Sequence, residues 1–380
     1  MPALVAYRGL VLTESIDDYP EGIILPVDKP YRWTSADVIR KVKYQAIRHF
    51  HKKNLKVGHA GTLDPLATGV LLVCIGKATK LAEELQASPK QYLAGVTFGA
   101  TTPSYDLEKE IDRLMPLDGV SEAALRSVLP DFVGEQDQVA PLFSAKSVDG
   151  VRAYEMARKA FREAQRSGTV FDHAAAGLLS RQRITIYGLE LESFFPPSGA
   201  GMGPENASLR SAPPIASNGS PPLMMPRVAQ FSGPIPAPEI NAVEGGTDSE
   251  GSAAGSGTKS LKPDSTSPFL PRVAQFSGPI PAPETNAAEG GTDSEGSAAG
   301  AQDVDPRSSR IHVADISAYD LPTAMVRVDC SKGTYIRALA RDLGEALGSG
   351  AFLSSLRRTR NGGIPVENAL SLDDALSLLR

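Results

Sequence analysis

Apolar residues near both ends of the chain form short runs and alternating patterns that predict β-strands. Residues 22–27, 70–75 and 91–98 are mainly apolar, and the uninterrupted run at 70–75 predicts a buried strand. Over 184–191 and 324–330, apolar residues alternate with polar or smaller ones, with one slip in phase in the first segment. This alternation predicts strands with one apolar face.

Helical spacing is clearest after Thr34, which is a good N-cap residue. The apolar positions that follow it at helical spacing are Val38, Ile39, Val42, Ala46, Ile47 and Phe50. Further helices are predicted over 77–86, 121–132, 334–347 (ending before Gly348) and 370–379. Because strands and helices mix without a regular βαβ rhythm, we predict an α+β fold with a mixed sheet.

Residues 196–309 differ in composition from both flanks. They contain 18 prolines and 15 glycines in 114 residues. A segment of this composition cannot bury enough apolar surface to offset the conformational entropy that folding would cost. A 30-residue unit occurs twice, at 226–255 and 271–300, with two differences: Ile240 against Thr285 and Val243 against Ala288. We predict a disordered insertion within a single domain formed by residues 20–195 and 310–380. A partner-binding role for the insertion is the alternative.

The formal net charge of −5 is unevenly distributed along the chain. Residues 196–309 carry twelve acidic and six basic residues, which leaves the remainder near +1. Residues 29–56 contain nine Lys/Arg against one Asp, and residues 332–360 contain six against two acidic residues. The two basic segments predict a shared phosphate-binding face if the fold joins them, or two solvated helix faces if it does not.

Several protein classes are disfavoured by the sequence. There is no run of 18 apolar residues and no signal-peptide pattern, so we expect a cytoplasmic protein without a membrane span. Cys74 and Cys330 lie in apolar runs, which predicts buried free thiols. No Cys/His cluster has zinc spacing. Six residues separate Gly69 from Gly76, where a P-loop needs four.

Asp64 is the most conspicuous candidate for chemistry, within GHAGTLDPLATGVL at 58–71. Pro65 removes a backbone donor and favours an extended Asp64, and the glycines leave room for a bulky ligand. Most Asp-Pro pairs are turn residues that bond within their own loop, and that reading stays open. The nearby His59 and the preceding basic helix favour a functional carboxylate.

A lone carboxylate can act as nucleophile or base at a sugar carbon without a metal, provided that a cationic partner keeps it ionised. The best candidate partner is Arg337, in SKGTYIRAL at 331–339. Gly333 and Thr334 open the predicted helix there and place Arg337 in its first turn. An exposed helix arginine is the alternative.

Six segments resemble the TruB family of tRNA pseudouridine synthases and occur in the family's order. They are GHAGTLDPLATGVL (58–71), GKATKL (76–81), KQYLAGVTFGATTPSYDLE (90–108), FSAKSVDGVRAYEMAR (143–158), SKGTYIRALARDLG (331–344) and LRRTRNGG (356–363). The resemblance implies the pseudouridine synthase fold, a mainly antiparallel mixed sheet flanked by helices with a central active-site cleft. It also implies conversion of uridine 55 in the tRNA T-loop to pseudouridine, with no cofactor and no metal.

The resemblance also implies roles for individual residues. Asp64 matches the catalytic aspartate, Arg337 the arginine that pairs with it, and Tyr92 the tyrosine that stacks on the target base and takes the C5 proton. The implied substrate-side residues are His59, which contacts the T-loop, and Lys29, Tyr335, Gly61 and Leu63. Whether Asp64 attacks C1′ or removes the C2′ proton stays open, although the base must leave its stack in either case.

Two features depart from the family pattern. Arg32 in DKPYRWTS stands where the family usually has glycine. In addition, we expect no PUA domain after the catalytic core. We therefore expect a monomer that binds the tRNA T-arm through its catalytic domain alone. The alternatives are a non-catalytic RNA chaperone that uses the same surface and a synthase for another RNA with a T-loop-like hairpin.

Overall fold

The structure is a computed structural model that describes residues 2–144, 147–148, 151–167, 169, 181–198 and 310–380. The predicted insertion at 196–309 lies outside the described residues except for its first three, and so does its repeated unit.

Within the described residues, eleven strands form one mixed sheet and four form two short hairpins. The strands are β1 (Leu4–Val5), β2 (Ile23–Lys29), β3 (Val57–Ala60), β4 (Ala67–Ile75), β5 (Lys90–Phe98), β6 (Ala100–Thr101), β7 (Arg113–Leu114), β8 (Gly134–Val139), β9 (Ser147–Val148), β10 (Val151–Arg152), β11 (Arg181–Phe195), β12 (Thr323–Cys330), β13 (Ala351–Asn361), β14 (Ile364–Pro365) and β15 (Leu370–Ser371). The main order is β1-β2-β4-β13-β5-β12-β11-β8, with β3 on β4, β14 on β13 and β15 on β2. The β1–β2, β4–β13 and β2–β15 pairs are parallel and the other pairs are antiparallel, so the sheet is mainly antiparallel, as predicted.

Helices cover the sheet, and their starts follow local sequence signals. The helices are α1 (Ser35–His49), α2 (Ala82–Ala87), α3 (Glu122–Val128), α4 (Ala153–Ser167), α5 (Ile336–Ala346) and α6 (Leu372–Ser377). Short 3₁₀ segments are Ile16–Asp18, Gly76–Leu81, Leu129–Phe132 and Val366–Asn368. Thr34 and Asp37 cap α1 reciprocally, because each side chain accepts a hydrogen bond from the other residue's backbone N–H.

The apolar run at 70–75 is buried because both faces of β4 are covered. Leu71, Val73 and Ile75 pack in the main core with α1, and the alternate residues Leu72 and Cys74 pack in a second cluster on the other face. A strand covered on both faces needs apolar residues at every position, which is the pattern in the sequence.

The alternating segments lie further along the sheet, as strands with one core face. On β12, Ala324, Val326 and Val328 are fully buried while their neighbours are half-buried. On β11, the pairing with β12 is irregular between Ile186 and Gly188. This irregularity explains the slip in phase, because one extra residue reverses the alternation of the two faces.

Several elements differ from the sequence prediction. The segment predicted as a helix over 77–86 is a 3₁₀ segment, Gly76–Leu81, followed by α2. The helix predicted from residue 334 begins at Ile336, with Tyr335 as its N-cap. The central strand β13 was not predicted, because its sequence AFLSSLRRTRN lacks the alternation typical of a strand.

The cysteine prediction is confirmed, because Cys74 and Cys330 are buried free thiols. Burial raises the pKa of Cys74 to about 11 and that of Cys330 to about 12, which keeps both protonated near neutral pH. No helix among the described residues combines the length and apolar character that a bilayer span requires.

Candidate active site

Asp64 lies in a tight loop between β3 and β4 that three contacts hold in place. The backbone N–H of Leu63 donates to Ser35 Oγ on α1 (2.9 Å), and that hydroxyl donates to the Leu63 carbonyl (3.0 Å). The Lys29 ammonium donates to the carbonyl of Pro65 (3.2 Å). The backbone on both sides of Asp64 is therefore fixed, and its side chain is left 38% exposed.

Arg337, in the first turn of α5, binds Asp64 through two nitrogens. Its Nε donates to Asp64 Oδ2 at 2.9 Å and its Nη2 to Oδ1 at 3.3 Å. The guanidinium also donates to the carbonyls of Ser104 (3.1 Å) and Phe143 (2.9 Å), and the residue is 6% exposed. Such a fork-shaped pair fixes the carboxylate's orientation as well as its charge.

A second carboxylate, Asp106, shares this guanidinium. Its Oδ2 lies 3.7 Å from Arg337 Nε, and its Oδ1 accepts from Ser104 Oγ (2.6 Å) and from the backbone of Glu108 (3.0 Å). Burial is the largest cause of the raised pKa of Asp106. Burial, with the nearby charge of Asp106, also raises the pKa of Glu108 to about 7. Burial disfavours the charged form of Arg337, but the three carboxylates outweigh it and raise the pKa of the guanidinium.

Lys29 is fully buried at the end of β2, behind the Asp64 loop. Its ammonium donates to the carbonyls of Pro30 (3.0 Å), Trp33 (2.5 Å) and Pro65. Burial lowers the pKa of Lys29 to about 7, and the charge of Asp64 opposes that shift. Lys29 therefore links the turn at 30–33 to the Asp64 loop, with its three donors directed at backbone oxygens.

Arg358 on β13 holds the same loop from the other side and is 1% exposed. It donates to the carbonyls of Val70 (2.7 Å), Gly61 (3.2 Å) and Thr62 (3.4 Å), and it lies opposite Tyr92 in the pairing of β13 with β5. Burial raises the pKa of Tyr92. Arg358 thus connects Tyr92 on β5 to the first residues of the Asp64 loop.

A glycine makes this packing of β13 against β4 possible. Gly69 has φ +100°, and a Cβ at this position would lie 2.2 Å from the backbone oxygen of Arg358. Any larger residue would push β13 away, and with it the guanidinium that supports the loop.

His59 and Tyr335 complete the surroundings of the site. Burial, followed by the charge of Arg358, lowers the pKa of His59, and its buried Nδ1 has no hydrogen-bond partner within the described residues. Tyr335 packs against the apolar cluster of Leu142 and Phe143, and burial raises the pKa of its phenol. The His59 ring lies near the charge of Arg358 and the Tyr335 ring near that of Arg337, so both border the charged network.

Asp64 reaches solvent through the exposed part of its side chain. The cavity beside Asp64 is about 20 Å³ and is lined by Leu66, Ala67, Asp106, Arg337 and residues 353–356. It is far too small for a nucleotide, so a substrate must approach from solvent. An oriented carboxylate on a buried arginine, with aromatic rings nearby, suits attack on, or deprotonation of, a sugar carbon.

A larger groove of about 490 Å³ lies next to the start of β3. Its lining residues within the described chain include three lysines and no acidic side chain: Lys43, Lys53, Asn54, Leu55, Lys56, Val57, Gly58 and Thr79. Gly58, which lines the groove, directly precedes His59 in the chain. In the other basic segment, at 332–360, Arg337 and Arg358 are buried, whereas the remaining basic residues are half-buried or exposed: Lys332, Arg341, Arg357 and Arg360.

Comparison with known proteins identifies the family. Residues 48–187 match the model described as TruB family pseudouridylate synthase (N terminal domain), and residues 337–379 match that of the tRNA pseudouridylate synthase B C-terminal domain. A protein named tRNA pseudouridine synthase B from Phocaeicola vulgatus is 30% identical, over 94% of this chain and 92% of its own length. The chain belongs to the TruB family.

Other relatives and one solved structure add to this comparison. The tRNA pseudouridine synthase B of Bacteroides thetaiotaomicron is 32% identical over 93% of this chain and 91% of its own. A chain of a Cbf5-Nop10-Gar1 complex is 18% identical with a TM-score of 0.43, over 95% of this chain and 56% of that one. As a TruB-family member, the protein is a pseudouridine synthase, an isomerase.

The structure brings the predicted site residues of this TruB-family protein into one network. Asp64 and Arg337 are paired, Lys29 holds the Asp64 loop, and Tyr92 and Gly61 are joined through Arg358. Leu63 departs from expectation, because its side chain is 4% exposed in the core and its backbone is bonded to Ser35. It supports the loop and offers no side-chain surface to a substrate.

Two residues of the network were not predicted as site residues. Asp106 and Arg358 both lie in segments that carry the TruB resemblance, ending in SYDLE and beginning with LRRTR. Asp106 lies 231 residues before Arg337 in the chain, and Arg358 lies 288 to 297 residues after the carbonyls to which it donates. Neither charge is isolated in the sequence, since Arg357 and Arg360 flank Arg358 and Glu108 follows Asp106, so only the fold reveals their partners.

Proposed function

We propose that this synthase converts uridine 55 in the T-loop of tRNA to pseudouridine, with Asp64 as the catalytic group. The observation that carries the proposal is the Asp64–Arg337 pair, in which a buried guanidinium orients a carboxylate whose other side faces solvent. The names of the relatives, tRNA pseudouridine synthase B, support tRNA as the substrate.

The reaction is an isomerisation, so no atom is gained or lost overall. The target base leaves its stack, the N1–C1′ bond breaks, the uracil turns, and C5 bonds to C1′. Asp64 either attacks C1′ or removes the C2′ proton, and the C5 proton is then lost while N1 gains one. Tyr92 offers a stacking face and a phenolic oxygen for the C5 proton. The positive charge of Arg358 opposes the burial-driven rise in the pKa of Tyr92 and favours negative charge on that oxygen during the transfer.

The groove of about 490 Å³ next to β3, hereafter the lysine groove, supports recognition of the T-arm. RNA stems and loops are bound largely through phosphates, shape and stacking, and Lys43, Lys53 and Lys56 present three cations in a groove that Gly58 also lines. We propose that T-arm phosphates occupy this groove while the flipped nucleotide reaches Asp64. This arrangement needs one copy of the chain, without cofactor or metal, in the cytoplasm where tRNA is available.

The test is conversion of unmodified tRNA transcript, followed by mapping of pseudouridine. The wild-type protein should modify only position 55, and Asp64→Asn should bind the transcript within about threefold of wild type while forming no product. Formation of pseudouridine by Asp64→Asn would show that the reaction does not require the Asp64 carboxylate. Binding without product in the wild type would favour a non-catalytic RNA chaperone. Modification of other RNAs in preference to tRNA would favour a synthase for another RNA with a T-loop-like hairpin.

Residues 196–309 are proposed to be an insertion that the chemistry does not need. The described catalytic contacts all lie outside it, and Ser198 at its start is bonded to Asp320 beyond its end (2.9 Å). Replacement of residues 200–305 by a Gly/Ser linker of about twenty residues, long enough to span a domain of this size, should leave turnover within about threefold. A folded but inactive product would assign a catalytic or RNA-binding role to the insertion.

A further inference from the structure

The segment at 310–316, hereafter the strap, runs across the loop that carries Asp106. The backbone N–H of Ala314 donates to the carbonyl of Leu107 at 2.7 Å, one residue after Asp106. His312 Nε2 lies 2.9 Å from Glu110 Oε1 in the same loop. The strap is therefore attached at two points to residues 107–110, by a backbone bond and by a side-chain contact.

The strap also covers an apolar cluster that joins the two acidic loops. Ala314 is buried with Leu107 and Phe352, and Leu66, two residues after Asp64, packs against the same cluster. The strap therefore touches, through one cluster, both loops whose carboxylates share Arg337. Because the cluster is closely packed, a shift of the strap is transmitted to both loops.

Arg32 ties the strap to the opposite side of the site. Its Nη2 donates to the carbonyl of Ile311 at 2.7 Å. Its backbone has φ 62°, in the left-handed region where a side chain carries a conformational cost that glycine avoids. An arginine at this position is explained by a side-chain contact that offsets the cost, and the bond to Ile311 is such a contact.

The turn that carries Arg32 is fixed to the Asp64 loop. The Lys29 ammonium bonds the carbonyls of Pro30 and Trp33, on either side of Arg32, and also that of Pro65. A continuous chain of contacts thus runs from the Asp64 loop through Lys29, the turn, Arg32 and the strap to the Asp106 loop.

The Asp106 loop needs such external support. Tyr105 has φ 57°, so a residue with a bulky ring adopts the left-handed conformation directly before Asp106. Such backbone persists only where the surroundings hold it. Relaxation of the loop would move Asp106 relative to Arg337, and the orientation of Asp64 depends on that guanidinium.

We propose that Arg32 is a positioning residue for the pseudouridylation reaction, acting through the strap to hold Asp106 and Asp64 in register on Arg337. Arg32 does not touch the reacting atoms. The activity assay for this inference rests on the proposed function. The contact between Arg32 and the Asp106 loop through the strap can be tested without it.

The experiment compares Arg32→Gly and Arg32→Lys with wild type, in the full-length protein. Glycine keeps the left-handed turn and removes the tether, whereas lysine keeps a cationic donor. With unmodified tRNA transcript and excess protein, Arg32→Gly should lower the single-turnover rate about tenfold with the Kd changed less than twofold, since small misplacements of catalytic groups reduce rate steeply. Arg32→Lys should recover most of the rate. A loss confined to Kd, or a wild-type rate in Arg32→Gly, would overturn the proposal.

Amide hydrogen exchange supplies a readout that needs no substrate. In Arg32→Gly, peptides covering 102–112 and 310–316 should exchange faster, while those covering α2, whose Leu85 packs in a different apolar cluster from the strap, should be unchanged. Unchanged protection over 102–112 would overturn the link even if the rate fell. If the wild type formed no pseudouridine but the exchange result held, the proposed function would fail and the positioning contact would survive.

Discussion

Arg337 donates from Nε and Nη2 to the two carboxylate oxygens of Asp64, across 273 residues of chain. The same guanidinium donates to two backbone carbonyls, so its donors are directed at fixed acceptors. This pairing fixes the orientation of the Asp64 carboxylate.

Replacement of Arg337 by lysine should therefore abolish most activity although the charge is kept. A single ammonium cannot reproduce the paired bonds to Asp64 or satisfy both carbonyls, so we expect a fall in single-turnover rate of about a hundredfold or more. The matched control is Arg327→Lys, since Arg327 pairs with exposed Glu190 and Glu192. A rate within threefold of wild type in Arg337→Lys would contradict the paired geometry as a requirement.

Arg358→Lys should destabilise the protein and slow the reaction together. Arg358 donates to three carbonyls around the Asp64 loop, and unmet buried acceptors cost about 1–3 kcal/mol each. We expect a loss of about 2 kcal/mol or more in the free energy of unfolding, measured in urea.

The neighbouring residue supplies the control for this substitution. Arg357 is partly exposed and paired with Asp28, so Arg357→Lys should lose less than about 1 kcal/mol. Equal losses in the two variants would refute the special role of Arg358.

Glu108 should make stability depend on pH between about 4.5 and 7. Its folded-state pKa is raised to about 7, mainly by burial and then by Asp106, so the folded protein binds a proton over a range where the unfolded chain has released it. The resulting stabilisation is complete below pH 4.5 and is lost as pH rises through 7. Glu108→Gln, which cannot ionise, should match wild type at pH 5 and be more stable at pH 8, by about 1 kcal/mol. Parallel stability curves for the two proteins would exclude the shift.

The lysine groove should contribute affinity that depends on salt. Replacing Lys43, Lys53 and Lys56 with glutamine should weaken tRNA binding and flatten the plot of log affinity against log salt by about two units, because each lost phosphate contact removes about 0.7–0.9. The control is Arg126→Gln, since Arg126 is engaged with Glu122 on α3. An unchanged slope in the triple variant would place the RNA elsewhere.

The sequence predicted elements best where local signals were sufficient. The Thr34 cap defined the start of α1, and the run at 70–75 and the alternation at 324–330 gave β4 and β12. It failed on β13, where polar residues occupy a central strand. There, Arg358 is buried because its donors meet carbonyls from a loop nearly three hundred residues earlier, and no local pattern encodes that compensation.

The candidate site divides in the same way. The Asp-Pro loop and the family motifs identified Asp64, Arg337 and Tyr92, because those residues are marked by their neighbours in the chain. The sequence by itself thus determined the class of fold, the family and the candidate carboxylate. Only the tertiary structure decided which charges meet: Asp106 on the shared arginine, Arg358 behind the loop and Arg32 on the strap. The physical reason is that buried charges are tolerated only where distant segments supply partners, and those partners exist only once the chain has folded.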